Sequence, residues 1–240
     1  MTGNQLDLLA PHEPDEVFLI RESKRARQMA INIGPHGVVE VVVPRNTQPK
    51  VVQAFVIQHQ SWIDRALMAL EKDRPEICRS MPDRIELASI DRHWDVQYGG
   101  KRLREKDGRV FVPAVHEDRP ACRRHLQQWL KTTAKVHLVP QLQQLADEHG
   151  FSYKRVQVRG QKTRWGSYSS SGTLSLNFCL LFLAPELVRH LMFHELCHTQ
   201  EMSHSHRFWR LLETYQPAYR ELERRLDRGW MDVPGWVGLH

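Results

Sequence analysis

His194, Glu195 and His198 are the residues whose types and spacing can do chemistry. Two histidines four places apart lie one turn above each other on the same face of an α-helix, so their imidazoles can be aimed at one cation. Glu195 stands three places before His198, close enough to reach a water at that cation without binding the ion itself. This HExxH arrangement suits hydrolysis: a divalent ion polarises a carbonyl and acidifies a water, and the carboxylate takes the proton. Leu191, Met192, Phe193, Leu196 and Cys197 are apolar or weakly polar and would bury the rest of the helix.

A catalytic zinc usually takes three protein ligands and leaves a fourth position for water. We assign the third position to His204, six residues after His198. Six residues of unbroken helix would rotate it about 240° off the shared face, so the helix must end or turn near residues 201–203. Glu201 is the carboxylate alternative, and His206 is also within reach in sequence. His190, one turn before His194, and His206 otherwise read as ordinary polar histidines or as supports for a ligand. The oxyanion formed in peptide hydrolysis needs a further positive or hydrogen-bonding group, for which Arg164, Tyr168 and Tyr215 are candidates. A substrate strand could add to an exposed sheet edge, and residues 173–178 are the nearest such stretch in sequence.

The chain that must position these groups has 240 residues, enough for one substantial core or two small domains. With 41% hydrophobic and 26% charged residues its composition is that of a globular protein. A net charge of +6 admits contact with nucleic acid or an acidic surface. The arginines, however, are scattered in pairs such as Arg123-Arg124 and Arg224-Arg225, as on an ordinary solvated surface. Cys78, Cys122, Cys179 and Cys197 show no CxxC spacing and read as free thiols of a reducing compartment. No apolar stretch has signal-peptide or membrane-span length, so a cytoplasmic protein without a membrane partner is expected. Oligomeric state leaves no mark on the sequence.

Residues 1–15 are polar, with Pro11 and Pro14, and form a loose lead-in. Runs at 17–20, 29–33 and 38–43, with a turn at Gly34-Pro35-His36-Gly37, predict three strands in an antiparallel meander. Thr47 is placed to cap a helix whose apolar positions recur from Val51 to Leu70. Short strands are expected at 84–88, 94–98 and 109–112, turning at Gly99-Gly100 and Asp107-Gly108. From Ala121 to His149 the period becomes helical, with Pro140 expected to kink or split the helix and Gly150 to end it. Strands at 156–159 and 173–178 flank the loop Lys162-Thr163-Arg164-Trp165-Gly166-Ser167. Ala184-Pro185-Glu186 opens the HExxH helix, and a last helix runs from Phe208 past Leu226 with Pro217 as its break.

Taken in order, the 162–167 loop, Leu174-Ser175-Leu176-Asn177, Ala184-Pro185-Glu186, HELCH and His204-Ser205-x-Arg207-Phe208-Trp209 resemble the YgjP-like metallopeptidase family. That family is related to the SprT-like zinc peptidases within the gluzincin-like group. The residue patterns make residues 16–118 a β-rich N-terminal module with one helix, and with the resemblance, which runs from about Ala121 to Leu226, imply an α+β chain with a zincin-like metallopeptidase domain at 119–228 and a tail at 229–240. It implies zinc held by His194 and His198, Glu195 as catalytic acid and base, the third ligand at His204, and a protein or peptide substrate. Two positions depart from the family pattern, Tyr168 where a Cys is usual and Ser203 where an Asn is usual. The spacing of His198 and His204 also equals that of metzincins, but Glu201 replaces the glycine at which those chains turn. Two other functions stay open: a nucleic-acid-associated SprT-like protease or basic nucleic-acid-binding protein using the KTRWG region, with Trp165 as a stacking platform, and a metal-binding scaffold without activity.

Overall fold

The computed structural model describes residues 18–23, 26–34, 39–73 and 80–238. The lead-in at 1–15, Val17, the turn at Pro35-His36-Gly37, Cys78 and the last residues of the tail, 239–240, lie outside the described residues. The chain divides into two compact units, Met1–Ile77 and Cys78–Leu239.

In the smaller unit, strands β1 (Phe18–Ser23), β2 (Ala30–Ile33) and β3 (Val39–Pro44) are followed by helix α1 (Pro49–Asp73). The strand order is β1-β3-β2, with β3 parallel to β1 and antiparallel to β2. The expected antiparallel meander is therefore wrong. Val39, Val41, Val42 and Val43 are all buried, and a β-branched run with both faces covered belongs at the centre of a sheet. β1 and β2 carry more polar residues and take the edges. Val52, Val56 and Ile63 of α1 pack against Val39, Val41 and Val43 to form the core of this unit. Thr47 does not cap α1. Its hydroxyl donates to the Pro44 carbonyl at 2.7 Å, while the N–H groups of Val51 and Val52 go to the Gln48 carbonyl.

The larger unit opens with strands β4 (Arg84–Leu87), β5 (Arg92–Tyr98), β6 (Arg104–Lys106) and β7 (Arg109–Val112). They form a sheet in the order β4-β5-β7-β6, in which only β5 and β7 are parallel. The exposed Arg104-Glu105-Lys106 strand carries no hydrophobic pattern, so nothing in the sequence marks it. Asp107 and Gly108, with φ of 50° and 71°, make the two-residue turn that joins it to β7.

Helix α2 (Arg119–His149) begins at Asp118, whose side chain accepts the Ala121 N–H, and ends at Gly150 in the left-handed region, φ 70°. Pro140 does not split it. The ring lies on the exposed face beside exposed Val136, whose freed carbonyl can be hydrated. The change of period near residue 119 falls inside the larger unit, because Ile85, Leu87, Trp94 and Val96 share one core with Leu126, Leu130 and Leu138.

A third sheet holds β8 (Arg155–Arg159), β9 (Gly166–Tyr168) and β10 (Thr173–Asn177) in the order β8-β10-β9. β10 is parallel to β8 and antiparallel to β9, and all its residues are buried. It is thus the central strand, which corrects its assignment as an exposed edge. The outer strands are β8 and β9. Helices α3 (Pro185–Cys197), α4 (His206–Tyr215) and α5 (Tyr219–Arg228) follow, the last two separated at Pro217. Residues 229–238 are held on α2, where Arg123 and Gln127 donate to the carbonyls of Trp236 (3.1 Å) and Val237 (2.6 Å). Among the described residues no helix is long and apolar enough to cross a membrane.

A proline inside a helix costs about 3 kcal/mol relative to alanine. Since α2 runs through Pro140 without a break, Pro140→Ala is expected to raise the unfolding free energy by about 1–3 kcal/mol in urea. An unchanged or lowered value would mean that the ring makes a packing contribution of its own.

Candidate metal centre

Helix α3 has Pro185 in its first turn, where a missing N–H is least missed, and buries Leu187, Val188, Leu191, Met192, Phe193 and Leu196. His194 and Glu195 occupy its last turn. His198 is the capping residue, with φ −64° and ψ −16° still helical, so the two histidines keep the phase of one helix face. The chain then turns tightly. The N–H groups of Gln200 and Glu201 both bond the Cys197 carbonyl, at 3.0 and 2.9 Å. The Glu201 carbonyl accepts from His198 Nδ1 at 3.0 Å. This turn needs no glycine, and it returns His204 Nε2 to 3.0 Å from His194 Nε2.

One ligand atom each from His194, His198 and His204 lie within 4.8 Å of one another. Glu201 supplies its backbone, not its carboxylate, and the His206 ring accepts a bond from Arg210 Nε at 2.9 Å. Nδ1 of His194 faces Glu223 Oε1 at 2.7 Å, and Nδ1 of His198 faces the Glu201 carbonyl. Both Nδ1 atoms therefore carry protons, leaving Nε2 lone pairs to converge. Tetrahedral zinc with Zn–N near 2.0–2.1 Å would set its nitrogens about 3.3 Å apart, close to the 3.0 Å found between His194 and His204. Burial lowers the His198 pKa to about 4 and lowers that of His204 as well. Neutral imidazole is the form that binds a cation. The donor set fits a divalent ion that favours nitrogen.

Aromatic rings of α4 wall the cluster. Phe208 stacks on His198 with centroids 4.5 Å apart, and Trp209 stacks on His204 at 5.5 Å. The Ser205 hydroxyl caps α4 by accepting the Phe208 N–H.

Glu195 is only 4% exposed. Burial, which favours its neutral form, pushes the carboxyl pKa up to about 7 against the positive influence of His194 and Arg164 and a bond from the Tyr168 backbone N–H. Its Oε2 is buried without a hydrogen-bond partner among the described residues, which makes it the free acceptor of the site. A methyl group at Gly166 would lie 2.7 Å from Glu195 Oε1, so only glycine lets β9 come this close.

The loop before β9 hangs on Asn177, which is fully buried. Its Nδ2 donates to the carbonyls of Gln161 (2.8 Å) and Arg164 (2.9 Å), its Oδ1 accepts the Cys179 N–H, and its own N–H bonds the Trp165 carbonyl. Trp165 Nε1 donates to the Leu226 carbonyl at 3.0 Å, and its ring stacks on Trp230 at 4.0 Å. At 7% exposure Trp165 cannot serve as a stacking platform for bases, which corrects that part of the nucleic-acid reading. Tyr215 packs in an aromatic group with Phe193, Phe151 and His149. Of the oxyanion candidates, Arg164 acts on Glu195 through its charge and Tyr168 through its backbone N–H.

Sequence reasoning missed Glu223, Asn177 and Gly166 as parts of this site. LSLN and KTRWGS flagged the second and third as motifs without a role. Glu223 had no signal at all, since it reaches His190 and His194 from a helix 29 residues beyond His194. Burial alone would raise its carboxyl, but the hydrogen bonds from His190 and His194, the larger of the opposing effects, help to hold it well below the usual carboxylate range.

Removing the Asn177 amide would leave two carbonyls and an N–H buried and unpaired, at about 1–3 kcal/mol for an unmet group. Asn177→Ala is expected to lose at least about 2 kcal/mol of stability in urea unfolding. An unchanged midpoint would show that the loop has other anchors.

No curated protein matches the chain. Among solved structures, the crystal structure of the metallopeptidase zymogen of Pyrococcus abyssi abylysin is 30% identical, covering 35% of this chain and 87% of that one, with a TM-score of 0.33. The model of the YgjP-like metallopeptidase domain matches residues 27–229. That match starts just ahead of β2 and ends just past α5, taking in the whole of the histidine site. The chain belongs to the YgjP-like metallopeptidase domain family.

Proposed function

We propose that this protein is a zinc-dependent peptidase in which His194, His198 and His204 hold the ion and Glu195 is the general base. On this reading α3 is the active-site helix of a zincin-like domain, and a β-rich portion precedes it. The observation that carries the reading is the convergence of the three imidazoles beside a buried carboxylate with one free oxygen.

When bound, zinc would supply Lewis acidity, polarising the scissile carbonyl and lowering the pKa of a water towards ~7. Glu195 Oε2 takes the proton of the attacking water and passes it to the departing amine nitrogen as the C–N bond breaks. The Tyr168 N–H holds the carboxylate during both transfers, and the missing side chain of Gly166 leaves it room. The Arg164 guanidinium, exposed and close enough for its charge to act on Glu195, stabilises the oxyanion. β9, an outer strand of its sheet, offers its edge to an extended substrate. Cys122, Cys179 and Cys197 are free and buried, which supports a reducing, cytoplasmic setting. With Trp165 buried, the nucleic-acid reading rests on net charge and on exposed basic residues of this region such as Lys162 and Arg164.

Metal-replete protein is expected to carry about one zinc per chain, lost in His194→Ala and strongly weakened in His204→Ala. Full zinc in His204→Ala would move the third ligand to Glu201 or His206. Glu195→Gln should retain the metal yet cleave an unfolded protein or peptide library at least about 100-fold more slowly. Cleavage at the wild-type rate would remove Glu195 from the mechanism. Gly166→Ala should also keep the metal while kcat falls, because the new methyl displaces the Glu195 carboxylate. Normal kcat there would show that the carboxylate has room to shift.

A further inference from the structure

Of the acidic residues on α5, Glu221 and Asp227 are exposed and Glu223 turns inward. Its Oε1 lies 2.7 Å from His194 Nδ1 and 3.1 Å from His190 Nε2. One carboxylate oxygen thus receives two rings that stand a helical turn apart on α3. His190 is completely buried, and its Nδ1 has no hydrogen-bond partner among the described residues. A proton on Nδ1 would be a buried, unpaired N–H, and it would set an Nε2 lone pair against the carboxylate. The proton of His190 therefore sits on Nε2 and is donated to Glu223. The same geometry puts the proton of His194 on Nδ1 and leaves its Nε2 lone pair facing His204.

We infer that Glu223 and His190 are positioning residues for the metal centre. Glu223 locks His194 in the tautomer whose Nε2 can bind an ion, and His190 fixes the carboxylate that does so. The inference rests on the reading of the three histidines as ligands. The neutral tautomers of imidazole are close in energy in water, so a short charge-assisted bond in a partly buried site decides between them. Such outer partners orient a ligand ring and raise its basicity. The placement of Glu223 depends in turn on the docking of α5. Leu222 and Leu226 are buried, Tyr219 stacks on Trp209 at 5.4 Å, and Arg225 bonds Glu186 at the start of α3. A helix that supplies no ligand thereby tunes the affinity of the site.

The test uses the full chain freed of metal and titrated with Zn2+ against a chromophoric chelator, beside 15N spectra of the imidazoles and thermal melting of the metal-free proteins. Glu223→Ala is expected to weaken zinc binding 10- to 100-fold and to let the His194 ring populate both tautomers. Glu223→Gln, whose carbonyl oxygen can still accept from Nδ1, should keep the tautomer and lose less affinity. His190→Ala should weaken binding in the same direction, with His190→Gln restoring part of it by donating to Glu223. A merely structural tie would lower the melting temperature and leave both zinc affinity and tautomer as in the wild type, and that result overturns the inference. If Glu223→Ala does not fold, Glu223→Gln and the His190 variants decide by the same two readouts. Failure of the wild type itself to bind Zn2+ would overturn the reading of the histidines, and the inference with it. Wild-type binding matched by Glu223→Ala would overturn the inference alone.

Discussion

Taking a carboxylate and several imidazoles out of water on one short helix is expensive unless each polar atom meets a partner. Helix α3 does this with His190, Glu195 and His198 all below a tenth exposed, among leucines and phenylalanines. The partners come from elements far apart in the chain. Glu223 arrives from α5, the Tyr168 N–H from β9, and the Glu201 carbonyl from the turn after the helix. The larger unit can be understood as the framework that brings these partners to α3. Among the described residues Glu195 Oε2 and His190 Nδ1 are left without a partner, and the first suits the general base proposed for Glu195.

The loop that seats Glu195 is fixed by polar bonds on one side and aromatic packing on the other. Asn177 closes the loop through Gln161, Arg164 and Trp165. Trp165 is clamped between its bond to Leu226 and its stack on Trp230. Residues after α5 are therefore part of the site's support, and their own anchoring to Arg123 and Gln127 ties them to α2. Tight fixation would suit the general base proposed for Glu195, since a shift of an ångström at a reacting group can cost about 100-fold in rate. Gly166 shows how little room is left, because a single methyl would collide with Glu195.

Where sequence reasoning went astray, pairing between strands was usually the reason. β3 and β10 each look like one strand among several, yet both are central: β10 is buried on both faces although Thr173, Ser175 and Asn177 make one of them polar, and β3 is buried at Val39, Val41, Val42 and Val43. Order within a sheet depends on which strand offers two buried faces, a property of the assembled layers. The split that Pro140 offered as one outcome does not occur, for a different reason. The rule that proline breaks a helix assumes its freed carbonyl is buried, whereas here that face meets water. Trp165, which the nucleic-acid alternative needs as an exposed ring, is covered by a tryptophan from beyond α5.

Local spacing was enough to bring His194 and His198 onto one face and to set Glu195 beside them, because helical periodicity acts over four residues and needs no tertiary help. The pattern of Pro217, Gly150 and Asp107-Gly108 marked ends and turns for the same reason, each through its own backbone restriction. The return of His204 lay at the limit of this local logic. It depended on a turn at Glu201 closed by hydrogen bonds to Cys197 and His198 rather than by a glycine. Glu223, Asn177 and Gly166 lay beyond it. Their contacts with the HExxH segment join residues tens of positions apart, and only the packing of helices and sheets around a common core sets such distances.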